Sequence, residues 1–168
     1  MTVPIHLRTP ASAAALLALA AVLASCAPEA VVPSAEEVAE AAVAKGVTIT
    51  NQRIVLAAVA GRPAAVYFDL AYDGKPGVTL VNIAVEGTGM TMIHEYAEAE
   101  GVQKMQMAGP VELRSDAPVS FAPGGLHGMV MDPGPALTPG STATITLNLS
   151  DGTSTGFSAP VRAAGDAR

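Results

Sequence analysis

Cysteine is nearly absent from this chain: its 168 residues hold one, Cys26. No disulfide can therefore close within the chain, and thiol chemistry has a single address. Basic residues are also few. All fifteen Asp and Glu lie beyond Cys26, where eight of the nine Lys and Arg remain, so the chain after the cysteine carries eight minus fifteen, or minus seven, with His neutral. That balance lacks the basic footprint of a nucleic-acid binder. Charged residues make up 14% of the whole and apolar ones half, over a length that supports one domain with a real core. Missing too are a GxSxG elbow, a free catalytic cysteine and a paired-acid constellation. Hydrolytic catalysis has little support, and the protein is expected not to be an enzyme. No internal repeat is visible.

The first 25 residues carry much of the apolar content. "HLRTPASAAALLALAAVLASC" has one Arg, no acidic residue and an Ala/Leu run from Ala11 to Ala24 that is too short for a permanent span and ends in small residues. This pattern reads as an export signal over 1–25. Leu23, Ala24, Ser25 and Cys26 resemble the lipobox of bacterial lipoproteins. The resemblance implies that Cys26 is acylated and becomes the new N-terminus. Several acyl chains on one residue make a stable membrane anchor, which places the protein at the bacterial cell envelope, on a periplasmic or extracytoplasmic face.

Residues 26–46 read as a tether. "PEAVVP" leaves the membrane, and "SAEEVAEAAVAKG" follows, with Ser34 and Glu37 at capping-box spacing and Gly46 as a stop. The spacing predicts a helix over 35–45, or a disordered spacer, because isolated helices of that length are marginal in water. After Gly46 the texture changes to short β-rich runs at 47–57, 64–72, 78–86, 90–97, 102–108, 111–114, 118–122, 126–131, 142–150 and 154–161. Turn signals such as Asp73-Gly74, Pro123-Gly124-Gly125, Pro139-Gly140 and Asp151-Gly152 separate them. Many short strands with no long helical pattern argue for an all-β sandwich or Greek-key barrel over 47–161, with 162–168 as a loose tail.

Methionine is concentrated to an unusual degree. Apart from Met1, every one lies between residues 90 and 131, in three i, i+2 pairs: Met90 and Met92, Met105 and Met107, Met129 and Met131. His94 and His127 fall in the same window, each in register with a pair. Alternate residues of a strand share a face, about 6.6 Å apart. Met90, Met92 and His94 are thus expected on one face, Met105 and Met107 on another, and His127, Met129 and Met131 on a third. A single methionine pair is ordinarily core filler, but fillers would be spread over the whole domain. Thioether and imidazole together, without thiolate or carboxylate, suit Cu(I) better than zinc, calcium or magnesium. The lack of a cysteine in the window also separates such a site from a blue-copper centre.

The spacing His94, ten residues, Met105, twenty-one residues, His127, one residue, Met129 resembles the H-x10-M-x21-H-x-M signature of the periplasmic copper chaperones of the PCu(A)C family. "MIHEY", "GVQKM", "PGGLHGMVM" and "AAVYFDLAY" resemble that family's text as well. The resemblance covers 47–161. It implies a cupredoxin-like Greek-key β-barrel or sandwich that holds one Cu(I) near the surface through His94, Met105, His127 and Met129. It also implies delivery of copper to a respiratory oxidase, at the CuA centre or through a thioredoxin-like assembly protein. The remaining methionines are expected to pack beneath or beside the site as an apolar collar, with Met92, Met107 and Met131 as auxiliary candidates during transfer. Tyr96 shares the His94 face and is a candidate shield, or ordinary strand packing. Two other readings stand beside this one: a copper-buffering lipoprotein with no dedicated client, and a metal-free β-sandwich interaction module.

Overall fold

The computed structural model describes residues 44–99 and 101–166. The export signal, the lipobox cysteine and most of the expected helix lie outside them. Ala44 and Lys45, the last two positions of the expected helix, are not helical: Ala44 is buried and its N–H donates to the Ser154 carbonyl at 2.7 Å, while Lys45 and Gly46 form a turn. The strand pairing of the domain therefore already holds the chain at this point.

Ten strands follow: β1 Val47–Val55, β2 Ala64–Tyr72, β3 Thr79–Val85, β4 Thr91–Ala99, β5 Val102–Met107, β6 Val111–Glu112, β7 Val119–Phe121, β8 His127–Val130, β9 Thr142–Leu149 and β10 Ser154–Arg162. Each falls within or close to a run that the sequence marks as β-rich. Their hydrogen-bonded order is β5-β4-β8-β2-β1-β10-β9-β3-β6, with β7 also on β2. Among the strand pairs of the described residues only β1–β10 is parallel, through Ile54–Val161 and Val55–Arg162. It joins one antiparallel half, β5-β4-β8-β2-β1, to the other, β10-β9-β3-β6. The path has two free ends, so the structure is an open sheet folded over one core, the sandwich form of the expected all-β domain.

Period-two alternation decides what that core contains. Val66, Phe68 and Leu70 of β2, Ile83 and Val85 of β3, and Ile145, Leu147 and Leu149 of β9 are buried on alternate positions, and Leu80 of β3 is buried on the far side of a register shift against β9. Phe68 stacks on Phe121 with ring centroids 4.4 Å apart and meets Phe157 of β10 edge-on at 5.6 Å. Because Phe68 and Phe157 lie on opposite halves, this aromatic cluster ties the two layers together. In β1 a bulge between Thr50 and Arg53 shifts the register against β2, and Asn51 there takes φ 56°. Asparagine tolerates that left-handed conformation better than most residues.

Candidate metal centre

The functional side chains sit on the half-sheet β5-β4-β8, and its register determines which of them meet. Across β4 and β8, His94 is opposite His127 and Met92 is opposite Met129. Across β4 and β5, His94 is opposite Met107 and Tyr96 is opposite Met105. Since opposite residues share a face, Met92, His94, Tyr96, Met105, Met107, His127 and Met129 all belong to a single face. The expectation of separate faces is corrected here: alternation within a strand was right, and pairing between strands merges the three sets. The other face of the same strands carries Thr91, Ile93 and Val130 into the core.

At the centre of this face the Nδ1 of His94 lies 3.3 Å from the Sδ of Met105. Donors sharing one tetrahedral ion, at bond lengths of about 2.0 Å to nitrogen and 2.3 Å to sulfur, stand about 3.5 Å apart, so the pair is at ligand spacing. The His127 ring centroid is 6.0 Å from that of His94, with the rings at 84°. His127 is only 5% exposed. Its Nδ1–H donates to the Gly125 carbonyl at 2.9 Å, which fixes the tautomer and leaves the Nε2 lone pair free, the second-sphere arrangement usual for a metal-binding imidazole. Pro123-Gly124-Gly125 builds this hold, with Gly124 at φ 81° turning the chain so that the Gly125 carbonyl comes back under the ring.

Aromatic rings complete the setting. Tyr96 stacks on His127 at 5.7 Å and 28°, and Tyr67 of β2 approaches from another side at 6.5 Å. Tyr96 therefore covers the histidine, as a shield would. Arg53 in turn lies over the Tyr67 ring, 5.0 Å from its centroid. Burial, and then the neighbouring His127, lower the His94 pKa below its ordinary value, favouring the neutral imidazole that coordinates metal. Burial raises the Tyr67 pKa, against the opposing pull of Arg53, so the phenol stays neutral.

The donor set is soft and uncharged. Among the described residues no group of three His, Cys, Asp or Glu could hold a metal ion. Glu95, next to His94 in sequence, faces away and accepts from the Gln106 side chain at 2.9 Å. A hard divalent cation would find no carboxylate here, whereas a soft monovalent ion finds two imidazoles and several thioethers. Of the remaining methionines, expected beneath or beside the site, Met90 and Met107 are 65% and 68% exposed and so lie at the surface, not beneath it. Sequence alone missed Tyr67 and the Gly125 carbonyl. Tyr67 alternates with Ala65 and Asp69 in "AAVYFDLAY" and so could be given an outward face, but nothing local indicates that β2 neighbours β8.

A family model described as "Putative lipoprotein LpqE-like" matches residues 47–161. The chain belongs to the LpqE-like family. Among solved structures, this LpqE-like domain is similar to the apo PCuAC domain from PmoF1, with a TM-score of 0.57 and 22% identity over 70% of this chain and 94% of that one. The copper-bound PCuAC domain from PmoF2 gives a TM-score of 0.55 and 18% identity, covering 73% and 96%. The solution structure of CuI-DR1885 from Deinococcus radiodurans gives 0.54 and 26% identity, covering 77% and 89%. No curated protein matches the chain. The LpqE-like chain thus has the cupredoxin-like fold of PCuAC domains.

Proposed function

We propose that this protein is an exported Cu(I) metallochaperone, not an enzyme, that carries one Cu(I) on His94, Met105, His127 and Met129. The copper-bound PmoF2 domain and the CuI form of the Deinococcus protein support copper as the cargo. The observation that carries the reading is the geometry on one sheet face: His94 Nδ1 at 3.3 Å from Met105 Sδ, beside a His127 whose free nitrogen is set by the Gly125 carbonyl. Four neutral donors leave the bound ion with its single charge, which favours Cu(I) over Cu(II).

Transfer needs a site that binds firmly yet can be reached by a partner's ligands. His127 and Met129 are backed by the core, whereas Met105 is 43% exposed on β5. An incoming ligand would displace the Met105 thioether first, while the two imidazoles retain the ion. Acylation of Cys26 would hold the domain at the envelope membrane, and the family description as a lipoprotein agrees with that. Delivery to the CuA centre of a respiratory oxidase, directly or through a thioredoxin-like assembly protein, is the destination that suits such an anchored carrier.

The test is an anaerobic titration against a colorimetric Cu(I) chelator. The parent should compete for one tight equivalent, and the His127→Ala, Met129→Ala double variant should lose at least a hundredfold in affinity. Parent-like binding by the variant would refute the ligand assignment. Oxidase activity at limiting copper in a deletion strain tests delivery, since a pure buffer would leave it intact.

A further inference from the structure

The four-ligand set leaves four methionines without a task, and three of them, Met90, Met92 and Met131, lie on neighbouring same-face positions of the β4–β8 ladder. The Met131 N–H donates to the Met90 carbonyl at 2.9 Å, which continues the β4–β8 ladder one rung beyond Thr91–Val130 and two beyond Met92–Met129. Directly opposed residues hold their Cβ atoms about 5 Å apart, and successive same-face positions lie about 6.6 Å apart. Methionine has three rotatable bonds and a polarisable sulfur, so thioethers on successive same-face rungs can converge on one point. These residues lie off the inward positions Thr91 and Val130, which are buried, and Met90 is 65% exposed while Met92 and Met131 are half-buried. A long apolar side chain kept in water beside two others of the same kind calls for a reason other than packing.

We propose that Met90, Met92 and Met131 form a second site, made of thioethers alone, for a soft monovalent cation such as Cu(I) or Ag(I). It adjoins the first through the Met92–Met129 rung. Three neutral sulfur donors without imidazole make a weaker site than the four-ligand one. As a holding position for an ion moving to or from that centre, the site rests on the function proposed above; as a binding site it stands on its own donors.

Ag(I), which is diamagnetic and does not cycle redox state, is the probe. It is titrated into protein carrying 13C-labelled methionine methyls and followed by NMR. The first equivalent should move the Met105 and Met129 signals, and the second those of Met90, Met92 and Met131. The Met90→Leu, Met131→Leu variant should keep the first step and bind the second ion at least tenfold more weakly. Unmoved Met90, Met92 and Met131 signals, or two parent-like equivalents in the double variant, would overturn the proposal. His127→Ala separates the two readings: silent Met105 with responding Met90, Met92 and Met131 supports an independent second site, and loss of all responses together overturns it. If the parent shows shifts only at Met90, Met92 and Met131, the four-ligand reading fails and the thioether site survives.

Discussion

The inward and outward faces of β4 and β8 are built from the same two short strands and do opposite things. Inward, Thr91, Ile93 and Val130 are buried against the other half-sheet. Outward, Met92, His94, His127 and Met129 form the central rungs of the metal face. The core therefore positions the ligands from behind: each donor is one residue from a buried anchor and inherits its rigidity. Met105 lacks that backing, because every residue of β5 is exposed. The site is thus firm on its β4–β8 side and yielding on its β5 side. If the two faces are separable, an inward truncation should cost stability and leave the metal affinity alone. Ile93→Ala, between Met92 and His94, should lower unfolding free energy by about 2–4 kcal/mol, measured by urea denaturation, with Cu(I) affinity within threefold of the parent. A hundredfold loss of affinity in a still-folded variant would show that the faces are not separable.

Gly128 is the point where the two faces are most tightly coupled, since it lies between His127 and Met129 and turns inward. A Cβ added there would stand 3.0 Å from the Cβ of Val66 and 3.5 Å from the Cδ1 of Ile83. Val66 is the residue paired with Gly128 on β2, so relief requires β8 to move outward by a few tenths of an ångström and to carry both ligands with it. Gly128→Ala should cost about 1–3 kcal/mol and, unlike Ile93→Ala, should also weaken Cu(I) binding about tenfold. Unchanged affinity would mean that the strain is absorbed on the β2 side.

The strand runs and both histidines were legible because period-two alternation and turn residues are local signals, and so was the spacing of the four candidate ligands. The merging of three methionine pairs onto one face was not legible. It depends on β4 lying between β5 and β8, which is a matter of sheet order that no short stretch encodes. The same reason hid Tyr67, whose nearness to His127 comes from the β2–β8 pairing. The Gly125 carbonyl was hidden differently: a glycine before the histidine signals a turn, but only the folded turn shows that its oxygen fixes the ring.

Beyond Tyr67, the outward face of β2 offers a last and smaller test of how little such surfaces contribute to stability. Asp69 accepts from the Asn51 side-chain amide and from the Ser120 hydroxyl, each at 2.6 Å. These two bonds, the Asn51 one foremost, hold its carboxyl below the usual carboxylate range. A group whose folded pKa is depressed stabilises the fold above its unfolded value, about 3.9. That contribution is lost as the pH falls through the folded value. The side chain is largely solvated, so the effect should stay below about 1 kcal/mol. Asp69→Asn should accordingly be less stable than the parent by that amount at pH 7, with the gap closing as the pH falls below 4. Urea denaturation at pH 7, 4 and 2.5 reads it directly. A gap that persists unchanged into acid would assign the loss to the geometry of the bulge around Asn51, not to the charge on Asp69.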